Sequence, residues 1–65
     1  MPRYILEAFK NFNTRYETVS DDCFRVYGNY EGYSVVRHDR ENNIIVDGRI
    51  KDKEDFENWL FNIKF

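Results

Sequence analysis

The sequence predicts a small α+β domain: an antiparallel meander of three or four strands, with a helix at each end packed on one face of the sheet. Three patterns carry this. Apolar residues recur at helical spacing near the C-terminus, strand-forming runs alternate with turn residues through the middle, and a second helical period lies near the N-terminus. At 65 residues the chain holds one domain, 1–65, and buries about 60% of the surface that its unfolded form exposes. Aromatic residues at 18% supply large buried area per side chain.

The C-terminal helix is the strongest element. Over 52–64, Phe56, Trp59, Leu60 and Ile63 fall at i, i+3, i+4 and i+7, which is one face of an amphipathic helix. Asp52 is placed to cap its first turn, Glu54 and Asp55 lie near the positive end of the helix dipole, and Lys64 lies near the negative end. Each buried side chain of that face contributes about 1.5–3 kcal/mol before entropy is subtracted. Trp59 is expected in the core, so its loss should unfold the domain.

Residues 3–12 read as the N-terminal helix, with Ile5, Phe9 and Phe12 on one face, Leu6 and Ala8 beside them, Pro2 suited to the first turn and Asn11 and Asn13 to the end. A strand here would expose Ile5 and Phe9. Between the helices, Arg15 to Val19 is a polar alternation, Ser20-Asp21-Asp22 a turn and Cys23 to Tyr27 a strand. Residues 28–32 read as a hairpin loop, Tyr33 to His38 as the next strand, residues 39–43 as a turn and Ile44-Ile45-Val46 as a short buried strand. Asp47-Gly48 has the form of a two-residue hairpin, but only three residues separate it from the helix, so it is taken as a strand-to-helix connection.

The order helix, three strands, helix is similar to that of the double-stranded RNA-binding domain in the order of its elements only. That family requires a lysine cluster at the start of its last helix to meet phosphates, and the same place here holds Asp52, Lys53, Glu54 and Asp55. No family follows from the order.

The net charge of −2 is spread evenly, and it predicts neither a polyanion partner nor a nucleic-acid mimic. Cys23 is the single cysteine, which excludes an internal disulfide, and with one histidine it excludes a Cys/His zinc site. A reducing cytoplasm is the expected location, and no membrane segment or cofactor is expected. Cys23 and His38 could form a nucleophile and base only if the hairpin register placed them on one face, and little volume for a pocket of ~300 Å³ is expected in so short a chain. Asp39-x-Glu41-x-Asn43 begins like a calcium loop, but Ile44 and Ile50 stand where the turn glycine and the bidentate carboxylate belong. The expectation is therefore no enzyme and no metal.

Two surfaces remain as candidates. Arg25, Tyr27, Tyr30, Tyr33 and Arg37 sit on or beside one hairpin, with Arg15, Tyr16 and Arg40 near it in the meander. Arginine and tyrosine dominate protein hot spots and also stack on bases. The bland alternative pairs the arginines across strands with Glu17, Glu31 or Asp39. On the back of the last helix, Phe61 and Phe65 stack at i, i+4, as a docking or homodimer patch or as residues covered by the N-terminal helix or by fraying. The expectation is a non-catalytic module that masks or inhibits an intracellular protein, in the manner of small inhibitors encoded by phages and mobile elements. The second choice is a sequence-tolerant binder of single-stranded nucleic acid.

Overall fold

The computed structural model describes residues 2–28 and 32–64. Helix α1 spans Arg3–Asn11, strands β1 to β5 span Arg15–Ser20, Cys23–Tyr27, Tyr33–His38, Ile44–Val46 and Arg49–Lys51, and helix α2 spans Lys53–Lys64. The strands form one antiparallel sheet in the order β1-β2-β3-β4-β5. The α+β meander with a helix at each end is as expected, with five strands in place of three or four. No helix among the described residues is long and apolar enough to cross a membrane.

Both helix ends follow from local chemistry. Pro2 precedes α1 and its carbonyl accepts the N–H groups of Ile5 and Leu6. At the far end Asn13 adopts φ +50°, its N–H reaches the Lys10 carbonyl, and the Thr14 N–H reaches the Phe9 carbonyl at 2.8 Å. That pair of bonds is the Schellman stop, built on asparagine where glycine is more usual. Asp52 caps α2 through Oδ1, which accepts the Asp55 N–H at 2.8 Å.

The correction lies at Asp47-Gly48. Both residues have positive φ, +49° and +81°, as a two-residue hairpin turn of type I′ requires, and Val46 pairs with Arg49 across it. Asp47 also ties the turn to β3. Its N–H donates to the Val35 carbonyl, and its Oδ1 accepts the Val35 N–H in place of a backbone carbonyl turned away by the bend. Three residues, Arg49–Lys51, suffice for an edge strand because the Asp52 cap starts α2 at once.

The core lies on one face of the sheet. Ile5, Ala8 and Phe9 from α1 meet Phe24, Val26, Val36, Ile44 and Val46 from the sheet and Phe56 and Leu60 from α2. Phe9 is the hub, with its ring 4.6 Å from Tyr16, 6.2 Å from Phe24 and 5.9 Å from Phe56. Trp59 and Ile63 pack at the margin, and Trp59 stacks on Phe56 at 6.0 Å. Trp59 is thus half-buried rather than central, because the three phenylalanines already fill the space between helices and sheet.

Two turns carry carboxylates that favour ionisation. Asp39 Oδ1 accepts the N–H groups of Asn43 and Glu41, and Oδ2 accepts the Asn43 amide. The Asn43 N–H bond is the largest cause that holds the Asp39 carboxyl below its ordinary value of 3.8, and the Ser20 hydroxyl does the same for Asp22. A carboxyl whose folded value is depressed contributes stability above its unfolded value and loses it as pH falls through the folded one. The urea midpoint should therefore drop with pH below about 4. Asp39→Asn should lower the midpoint at neutral pH and make the acid drop shallower; an unchanged acid slope would show that the turn bonds do not persist in solution.

Candidate binding face

The opposite face of the sheet is covered by neither helix, and alternation along each strand decides what it displays. Because Phe24 and Val26 point into the core, Cys23, Arg25 and Tyr27 point the other way. The registers then place three rows across the sheet. Arg15, Tyr27 and Tyr33 form the first, Glu17, Arg25 and Val35 the second, and Cys23, Arg37, Ile45 and Ile50 the third. Arg25, Tyr27, Tyr33 and Arg37 are thus brought to one face, joined by Arg15. Tyr16 is opposite Val26 and belongs to the helix-covered side.

The rings and cations on this face hold one another. Arg15 lies over the Tyr27 ring at 5.1 Å and Arg25 over the Tyr33 ring at 5.2 Å, with the two rings 6.0 Å apart. Such contacts orient a guanidinium and leave its N–H edge able to donate. The Tyr27 hydroxyl donates to Glu17 at 2.9 Å, and that bond is the main cause that raises the Tyr27 phenol above its ordinary value. Glu17 therefore serves tyrosine and Asp39 serves its own turn. The one ion pair among the described residues is Arg3–Glu7 on α1, so the alternative in which Glu17 or Asp39 pairs with these arginines across strands finds no ion pair here. Strand positions on this face carry three arginines against one glutamate, in a protein whose net charge is −2.

Other expected sites resolve differently. Cys23 pairs with Arg37 in the register, which puts Cys23 and His38 on opposite faces. Cys23 is buried, while the His38 ring lies against Phe24 with its nitrogens 3.0 Å and 3.3 Å from the carbonyl oxygens of Asp21 and Asp39. Nucleophile and base do not meet. A shallow depression of about 350 Å³ opens at the Arg37 end of the face, where the acidic residues Asp22 and Asp39 line it together with Arg37, His38, Arg40 and Ile45. Phe61 is 54% exposed and meets Phe12, at the end of α1, edge-on at 6.5 Å. Tyr30 and Phe65 lie outside the described residues, as does Glu31.

Ile45 and Ile50 were not singled out by the sequence reading. Their signal was Asp47-Gly48: taken as a type I′ hairpin, it sets Ile50 directly across from Ile45. Comparison of the chain with family models, with curated proteins and with solved structures finds no match in any of the three.

Proposed function

We propose that this chain is a non-catalytic protein-binding module that masks or inhibits its partner by laying the uncovered sheet face on an acidic surface. The observation that supports this is the set of guanidinium groups of Arg15, Arg25 and Arg37, the first two over tyrosine rings and none in an ion pair among the described residues, with Asp22 the carboxylate that feels the charge of Arg37. Unpaired donors of this kind gain most from a carboxylate that arrives with a partner, through charge-assisted and often bidentate bonds. The size also fits: the Cα extents of 30 × 23 Å are on the scale of the ~800 Å² that each partner gives to a standard interface. A buried free thiol at Cys23 suits a reducing cytoplasm.

A second reading rests on Tyr33, which is 54% exposed and backed by Arg25. A ring beside arginines is a platform on which unpaired bases stack, so sequence-tolerant binding of single-stranded nucleic acid is the alternative. Affinity capture from nuclease-treated lysate of the source separates the two. The wild-type module should retain a protein partner that the folded Arg25→Glu/Arg37→Glu variant loses. Retention by the variant overturns the use of this face, and capture that vanishes with nuclease favours the nucleic-acid reading.

A further inference from the structure

We infer that the segment recognised on this face is acidic along most of its length and apolar at one end, with carboxylates over Arg15, Arg25 and Arg37 and an aliphatic side chain over Ile45 and Ile50. The inference rests on the protein-binding reading and specifies its partner. In the sheet register Arg15 stands in the row of Tyr27, Arg25 in the next row, and Arg37 in the row after, each one strand further on. The three arginines therefore form a straight diagonal across β1, β2 and β3, with steps of about 7–8 Å between diagonal neighbours. An extended chain rises about 3.3 Å per residue, so carboxylates at alternate residues of one segment come within reach of successive guanidinium groups.

The diagonal ends at an apolar step. Arg37 is directly across from Ile45, and Ile45 directly across from Ile50 on the edge strand. Ile50 is 69% exposed, the most exposed of the large hydrophobic residues among those described, and Ile45 is half-buried beside it. A single exposed isoleucine is ordinary; two adjacent ones in the row of Arg37, where the arginine diagonal ends, form a surface with two chemical ends. Phosphates could follow the arginines, but a nucleic acid repeats the same phosphate and base at every step and so does not offer an anionic stretch followed by an aliphatic end. A peptide segment supplies both.

The test is an NMR titration of the ¹⁵N-labelled intact chain with three probes: the peptide Glu-Ser-Glu-Ser-Glu-Ser-Gly-Leu, the same peptide with its leucine replaced by serine, and an oligothymidine of matched length. The leucine peptide should shift the resonances of Arg15, Arg25, Arg37 and Ile50. The serine control should bind about fivefold more weakly and leave Ile50 unmoved. Equal binding of both peptides, absence of shifts, or shifts from the oligothymidine alone overturns the inference. Ile50→Ser separates it from the broader reading, because Ile50 is exposed and its loss should leave the circular dichroism unchanged. Lysate capture that survives Ile50→Ser and is lost in Arg25→Glu/Arg37→Glu keeps the module and rejects the apolar end.

Discussion

Phe9→Ala is expected to unfold most of the domain at room temperature. Phe9 is 1% exposed, and its ring meets Tyr16 on β1, Phe24 on β2 and Phe56 on α2. Truncation of a buried phenylalanine costs about 3–5 kcal/mol in lost transfer energy and cavity. At about 0.05–0.15 kcal/mol per residue, a chain of 65 residues has only about 3–10 kcal/mol in all, so the loss takes half or more of it. Far-UV circular dichroism and a urea titration provide the check. Trp59→Ala serves as the contrast, since the indole stacks at the margin of the cluster and should cost less. A Phe9→Ala midpoint equal to that of the wild type, or a larger effect at Trp59, would place the centre of the core elsewhere.

Gly28→Ala should lower stability by about 1–3 kcal/mol, the range for an added methyl in a tightly packed place. A Cβ at Gly28 would lie 2.7 Å from the carbonyl oxygen of Ile63 and 3.6 Å from its Cβ. The obstacle is helix backbone, which cannot turn aside as a flexible side chain can, so the last turn of α2 must move off the end of β2. Gly28 does not have a positive φ, and so close approach, not a special backbone angle, is what requires glycine here. Its place at the start of the 28–32 hairpin loop suggests a turn glycine; the contact with a helix 35 positions away leaves no trace in neighbouring letters. Hydrogen exchange at the C-terminal amides of α2 should quicken in the variant. Elsewhere a Gly→Ala change gains about 0.4–1 kcal/mol by restricting the unfolded chain, so a more stable variant would mean that α2 does not rest on Gly28.

Both predictions turn on contacts between elements distant in sequence, and that is where sequence reading met its limit. The helices were legible because their signals are local: the Phe56–Leu60 period, the Asp52 cap and the Ile5–Phe9 spacing each lie within a few turns of the chain. The meander was legible for the same reason, through turn residues spaced between strand formers. The fifth strand was missed although its signal was present, because the length of the remaining segment was weighed above the Asp-Gly turn. What stabilises that turn is the long-range pair of bonds from Asp47 to Val35, which belongs to the sheet and not to the segment.

The candidate face divides along the same line. That arginines and tyrosines alternate with core residues on β2 and β3 is written in the sequence, since a strand exposes every second side chain. Whether they share a face depends on register, and a slip of one residue would have sent one strand's set into the core. The register that pairs Tyr27 with Tyr33 aligned Arg15, Arg25 and Arg37, separated Cys23 from His38, and, with the β4–β5 hairpin, set Ile45 beside Ile50. By itself the sequence determined the elements and the residue types on each side of a strand, because these are set by neighbours in the chain. Only the tertiary structure decided which side chains meet across strands, which aromatic ring is the hub and which glycine is irreplaceable, because these depend on pairing and close approach between segments distant in the chain.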